Sequence, residues 1–279
     1  MDHGAAPSFI GAGGLVVALR GLDFDLDDGR SPLADFVVTG PADICVDVTR
    51  GDKPMREWGR SETLDWQVDE AQRTVDLHLT EYKARFDLTG RRARVHFEGP
   101  WPRAVESFLK SAVQLFALEV RAGLVLHSSS VIAGEKAVVF TGRASAGKST
   151  AAALSQETGR MMMSEEMTFV GRLDEDGAVL ASPLPAWQKS GVKPRPVAVP
   201  LRAIYALEQA QEDRVEEIPR GEQVRRLAVA ASIGVRHRLF MERALDLAEQ
   251  LVERVPVHVL HFRKSPAFWD VIEPGGGAD

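Results

Sequence analysis

Cysteine is almost missing from the 279-residue chain, with Cys45 the only one. A single thiol excludes an internal disulfide and leaves no cysteine cluster for structural zinc. Nor is there a run of about 18 apolar residues, the length a membrane-crossing helix needs, so no membrane partner is expected. The opening Met1-Asp2-His3-Gly4 lacks the basic start and apolar centre of a secretion signal. Together these absences set the expectation of a soluble cytoplasmic protein. Positive charge is also scarce: Asp and Glu number 40 against 34 Lys and Arg, a formal net charge of −6. That balance supplies no general attraction for nucleic acid, and none is expected as a partner. What the chain does have is 44% hydrophobic residues, ample for a core in one large domain or two modest ones.

The first hundred residues read as β-rich. Thr74–Leu79 alternates apolar and polar, Ala84, Phe86 and Leu88 repeat the period, and Arg94–Phe97 alternates again after Thr89-Gly90. Half-buried antiparallel strands require this alternation, because successive side chains point to opposite faces. Gly14–Leu19 and Asp35–Thr39 read as shorter strands, and Cys45 as a small buried apolar residue. From Pro102 to Arg121 the period changes. Val105, Phe108, Leu109, Ala112, Leu115 and Phe116 recur at helical spacing, a stripe that reads as core, with Gly123 closing the helix. The expected domains are a β-rich lobe over 1–100, an α/β nucleotide-binding domain over 101–273 and a frayed Gly-rich tail over 274–279.

The densest chemistry lies between residues 124 and 166. Leu124–Ile132 and Lys136–Thr141 are strand-length segments joined by a tight turn at Ala133-Gly134-Glu135, and the second runs into Gly142-Arg143-Ala144-Ser145-Ala146-Gly147-Lys148-Ser149-Thr150. The pattern G-x-x-x-x-G-K-[ST], placed between a strand and a helix, defines a phosphate-binding loop. Its glycines let backbone N–H groups face phosphate oxygens, and the helix adds its positive end. Lys148 is expected on the β- and γ-phosphates, Ser149 on Mg²⁺, and Thr150 at the helix start. The cofactors implied are ATP and Mg²⁺.

Two further features flank the loop. His127 lies fifteen residues before Gly142, and if its strand neighbours the one before the loop it sits near the end of the sheet that holds the phosphates. Glu165 and Glu166 follow the apolar segment Arg160–Ser164. Phosphoryl transfer needs a cation on the β- and γ-oxygens and a group to accept the proton of the attacking hydroxyl. Glu165 is therefore the candidate metal ligand beside Ser149, and the other carboxylate the candidate base.

In order and spacing, His127, the loop 142–150 and the strand-end acids resemble the catalytic domain of HPr kinase/phosphorylase and the HPr-kinase-like serine kinases of bacteria. More distantly they resemble ATP-dependent phosphoenolpyruvate carboxykinase. Val199–Ile204, Val255-Pro256-Val257 and Phe262-Arg263 add to the likeness, which runs from about Leu124 to Ile272. It implies an α/β P-loop fold of HPr kinase C-terminal type and transfer of a γ-phosphate to a serine-type hydroxyl of a protein, peptide or small molecule. It also implies His127 near the γ-phosphate and a homo-oligomeric habit. The chain departs from the pattern where Glu165 and Glu166 take the places of paired aspartates. A displacement of about 1 Å at such a site costs on the order of a hundredfold in rate. The alternative is therefore a nucleotide sensor or scaffold with a degenerate kinase site. Ser149-Thr150 also replaces the Ser-Glu of HPr kinases proper, so HPr itself is not the expected acceptor.

Weaker features complete the reading. Trp187–Pro196 is basic and Pro-rich, a connection or a loop over phosphates. Arg225-Arg226 and Arg236-His237-Arg238 fall on helical segments near 221–231 and 236–254 and read as a basic patch or, by default, as solvated faces. Arg263, ending the strand Val257–Phe262, is a candidate charge near the nucleotide.

Overall fold

In the computed structural model the described residues are 8–21, 33–51, 65–98, 103–185, 196–231 and 234–274. The chain divides into two compact units, one formed by Met1–Val120 with Pro185–Trp187 and Ile233–Met241, the other by Arg121–Leu184, Gln188–Ser232 and Glu242–Asp279.

The first unit carries a seven-stranded mixed sheet. Its strands are β1 (Ser8–Ala12), β2 (Leu15–Arg20), β3 (Ile44–Arg50), β4 (Asp65–Asp69), β5 (Thr74–His78), β6 (Tyr82–Asp87) and β7 (Arg92–Phe97), ordered β1-β2-β3-β7-β6-β5-β4. The segments read as antiparallel are so, β5 against β6 and β6 against β7. The pairings of β3 with β2 and with β7 are parallel, a mixture that alternation cannot reveal. Asp35–Thr39 is not a strand. A 3₁₀ turn occupies Ala34–Phe36, followed by a single bridge from Val37 to Ile10. Leu33 and Phe36, 0% and 1% exposed, set a three-residue spacing that brings both onto one face of a 3₁₀ turn. Cys45 is half-buried rather than buried, because β3 turns Ile44, Val46 and Val48 to the core and Cys45 to the other side.

Helix α1 (Arg103–Glu119) lays its apolar stripe on β6 and β7. Phe108 stacks on Phe86 at 5.7 Å between ring centres and meets Tyr82 edge-on at 5.6 Å. The Tyr82 hydroxyl donates to Ser111 Oγ at 2.8 Å, and burial pushes that phenol well above its ordinary pKa. The helix does not end at Gly123. Arg121 turns the chain with φ 53, and Gly123 already opens the next strand.

The second unit contains β8 (Gly123–Ala133), β9 (Lys136–Thr141), α2 (Lys148–Glu157), β10 (Met161–Ser164), β11 (Met167–Leu173) and β12 (Val179–Pro183). It continues with β13 (Val199–Gln209), β14 (Arg214–Glu217), α3 (Arg220–Ala230), β15 (Val257–Phe262) and α5 (Phe268–Ile272), and α4 (Arg238–Val252), which precedes β15, belongs to it from Glu242 onward. β9, β13 and β15 run parallel, and β14 is antiparallel on the β15 edge. β8 pairs antiparallel with β9 and with β11, β11 with β12, and β12 with β13, so the pairings close a ring through β9. Under α2 lies an aromatic core. Phe140 meets Phe268 at 5.9 Å and Trp269 at 6.2 Å, and Trp269 Nε1 donates to Ser155 Oγ at 3.0 Å. Arg160 stacks on Trp269, 3.7 Å from the ring centre, and pairs with Glu273, which also pairs with Arg202. These contacts hold α2, and thus the loop before it, against the parallel strands.

Candidate functional site

The loop from Gly142 to Gly147 leaves the C-terminal end of the parallel strand β9 and enters α2, the position at which open α/β sheets hold ligands. Three of its residues have positive φ: Gly142 at 146°, Ser145 at 64° and Gly147 at 107°. Gly147 caps α2 in a left-handed conformation, and a Cβ there would lie 2.6 Å from Phe262 Cζ. A Cβ on Gly142 would lie 2.8 Å from Ala146 Cβ, so the loop closes tightly on itself. Lys148, 9% exposed, curls back over this ring, and its ammonium donates to the carbonyls of Gly142 at 3.0 Å and Arg143 at 3.2 Å. A cation is thereby fixed inside a ring of backbone at the positive end of a helix. Gln209 Nε2 donates to Ser145 O at 2.9 Å and ties the ring to β13.

Beside the loop, Ser128, Ser129 and Ser130 are each 0% exposed on β8. Ser129 Oγ donates to Lys148 O at 2.7 Å, bracing the first residue of α2 from below. Ser130 Oγ accepts from Thr168 Oγ1 at 2.9 Å, which stitches β8 to β11. Sequence reasoning placed these serines in the strand segment Leu124–Ile132 but gave them no role. The one available signal was their place inside a segment apolar on both sides.

His127, midway along β8 and next to Ser128, is exposed and lines a cleft of about 640 Å³ together with Thr141 and the loop residues 142–146. Glu165 and Glu166 form the bend between β10 and β11. Ser164 Oγ donates to Met167 O at 2.6 Å across the bend, and Ser128 N donates to Glu166 O at 3.0 Å. Met167 pairs with His127 in the ladder, so Glu166 and Glu165 lie one and two residues before the partner of that histidine. Glu165 is buried at 6% exposure and Glu166 half-buried, and neither is among the described residues that line the cleft. Among the described residues no three His, Cys, Asp or Glu side chains gather as a metal cluster.

The opposite wall comes from α3. Arg225, Arg226, Val229 and Ala230 line the cleft, where the sequence favoured a solvated face over a basic patch. Arg226 bonds Glu208 and Glu222 at 2.8 Å each, and Arg225 grips Glu222 through both carboxylate oxygens at 2.6 and 2.5 Å. The hydrogen bonds from Arg225 and then Arg226 hold the Glu222 carboxyl down to about 2. His261 Nε2 and a Glu216 oxygen, 2.9 Å apart, continue the network at the sheet edge. The second basic cluster belongs to the other unit, where His237 lies 3.5 Å from Glu70 and meets Trp66 edge-on. Arg263 does not join the cleft. Its backbone and guanidinium both donate to Asp213, at 2.7 and 2.9 Å, because the turn after β13 brings that acid to the end of β15. Of the basic loop Trp187–Pro196, residues 187–195 lie outside the described residues.

Fold and site together define a class: a mixed α/β protein in which a glycine-rich loop carries a lysine between a parallel strand and a helix. The chain belongs to the family described as SynChlorMet cassette protein ScmC, whose model matches residues 106–274, more than half of its length. No curated protein matches it. Among solved structures it has a weak, distant similarity to the Hpr(Ser) kinase/phosphatase from Coxiella burnetii. That match is at 10% identity over 50% of this chain and 84% of the other, with a TM-score of 0.27, too low to carry an argument. No helix among the described residues is long and apolar enough to cross a membrane.

Proposed function

We propose that the loop 142–150 binds the phosphates of a nucleoside triphosphate, with ATP and Mg²⁺ as the ligands, and that the chain transfers the γ-phosphate to a hydroxyl acceptor. The observation that carries this reading is the Lys148 ammonium, nearly buried and bonded to the Gly142 and Arg143 carbonyls at 3.0 and 3.2 Å. A lysine held there at the head of α2 exchanges weak carbonyl partners for phosphate oxygens, which form stronger, charge-assisted hydrogen bonds. The cleft volume of about 640 Å³ lies within the range of small-molecule sites.

The loop fits the phosphates, whereas Glu165, 6% exposed and outside the described cleft lining, would have to turn towards the loop to meet a metal. Ser149, exposed at the start of α2, and Glu165 would hold the metal, which when bound supplies neutralisation of charge on the phosphate oxygens. Glu166 accepts the proton of the acceptor hydroxyl, and His127 orients it from the adjoining strand position. Arg225 and Arg226 line the cleft with Glu208, and would add positive potential on exchanging Glu222 and Glu208 for phosphate oxygens.

A second reading, a nucleotide sensor without efficient transfer, is favoured by one observation: the two carboxylates are absent from the described cleft lining. Turnover of Mg-ATP by the full chain and by the Glu165→Gln/Glu166→Gln double variant separates the two. Loss of turnover with nucleotide binding retained supports transfer. An unchanged rate removes the carboxylates from the chemistry and leaves the sensor.

A further inference from the structure

A second cleft of about 390 Å³ opens at the Gly123 end of β8 and shares no lining residue with the loop cleft. We propose that it binds a small organic anion with an apolar body, of the medium-chain or aromatic carboxylate class.

Its floor is bare by construction. Gly123 and Gly171 face each other across the β8–β11 ladder. A Cβ on Gly123 would lie 2.3 Å from Val170 O, and one on Gly171 would lie 2.2 Å from Ala122 O. The strands therefore approach too closely for side chains at either position, and one spot on the sheet is left without cover. Val179, Leu247 and Leu251, between 3% and 7% exposed, wall that spot with aliphatic carbon. α4 contributes Leu247, Gln250 and Leu251, spaced as one stripe of a helix, and Arg254 follows in the turn after it, so the apolar wall ends in polar groups.

The rim has the opposite character. Arg121, Arg254 and Gln250 are all exposed there, beside the half-exposed Leu173. Among the described residues Arg254 makes no ion pair. Arg121 reaches only Asp246, at 3.5 Å, with both side chains more than half exposed. Such a solvated pair is weak and yields readily to a better partner. Two guanidinium groups above an apolar floor select a ligand with one planar anionic end, since carboxylate matches the guanidinium fork. An inorganic anion would use the arginines and leave the floor wet, and a neutral lipid would use the floor and leave the arginines unengaged.

The test uses decanoate, with decanol as its uncharged counterpart, titrated calorimetrically into the full chain without nucleotide. The expected result is saturable one-to-one binding of decanoate, at least about tenfold tighter than decanol, because the charge-assisted contact is lost with the carboxylate. Arg254→Gln should remove a similar factor, and so should Leu173→Asp, both at exposed positions that leave the fold intact by circular dichroism. Lys148→Ala should leave decanoate affinity unchanged, so the result is independent of the nucleotide reading. Equal affinity for decanol, insensitivity to both rim variants, or no binding by folded protein would each overturn the proposal. So would a dimer in sedimentation whose formation excludes decanoate, which would make the cleft a contact between copies.

Discussion

Gly147→Ala is the substitution that most sharply examines the loop's geometry. The residue sits at φ 107, where an L side chain costs about 1–2 kcal/mol. The added methyl also meets Phe262 Cζ at 2.6 Å, and Phe262 is itself 1% exposed with Phe268 5.9 Å away between ring centres, so it has little room to yield. Overpacking of this kind costs about 1–3 kcal/mol. The two contributions together predict a loss of roughly 2–5 kcal/mol in unfolding free energy. Gly159→Ala is the matched control, with φ 80 and open space around the new Cβ, and should lose only the backbone part, about 1–2 kcal/mol. Urea unfolding of wild type and both variants isolates the clash as the difference between them. Adding Phe262→Leu to Gly147→Ala should recover part of that difference, since the two side chains touch and cannot act additively. A Gly147→Ala protein no less stable than Gly159→Ala would refute the packing of the loop against β15, and with it the origin of the rigid lysine ring.

Other perturbations follow from the same contacts. Ser129→Ala removes the hydroxyl that serves Lys148 O, a carbonyl that keeps its helical partner, and should cost about 0.5–1.5 kcal/mol in urea unfolding, the net worth of one hydrogen bond. It should also weaken nucleotide binding, which a calorimetric titration would register. Trp269→Ala empties the core beneath α2 and should cost about 3–5 kcal/mol. A smaller loss would mean that the Arg160 stack and the Ser155 hydrogen bond do not anchor the helix. Glu222 has its folded-state pKa lowered from 4.5 to about 2, so its contribution to stability is present above 4.5 and is lost as pH falls towards 2. Glu222→Gln should flatten that part of the pH–stability curve, and the difference should shrink at high salt because the ion pairs lie at the solvent boundary.

Much of the second unit was legible because two independent periods agree there. Lys136–Thr141 shows strand composition, the glycine pattern follows, and α2 begins at once, so local chemistry and element order point the same way. The strand Val257–Phe262 was legible to the residue for a similar reason, bounded by Pro256 and by a charged turn. What stayed hidden depends on tertiary placement. Ser128–Ser130 are polar by composition yet fully buried, because each hydroxyl finds a backbone or hydroxyl partner that only the folded sheet supplies. Arg225 and Arg226 look like any solvated pair on a helix, and only the position of α3 across from the loop makes them part of the cleft. Arg263 failed in the opposite sense, since a strand-end arginine is drawn to whichever acid the next loop presents, here Asp213. The 3₁₀ turn at Ala34–Phe36 was mistaken for a strand because its apolar residues are adjacent in sequence, while the spacing that matters is Leu33 to Phe36.

The central claim is that the lysine ring at Gly142–Lys148 receives nucleotide phosphates. Calorimetric titration of ATP and GTP, with and without Mg²⁺, into wild type and Lys148→Ala tests it most directly. The account predicts saturable ATP binding that requires Mg²⁺ and weakens at least about tenfold in the variant, the cost of one lost charge-assisted contact. Absence of binding of either nucleotide to well-folded wild-type protein, or equal binding by Lys148→Ala, would contradict it.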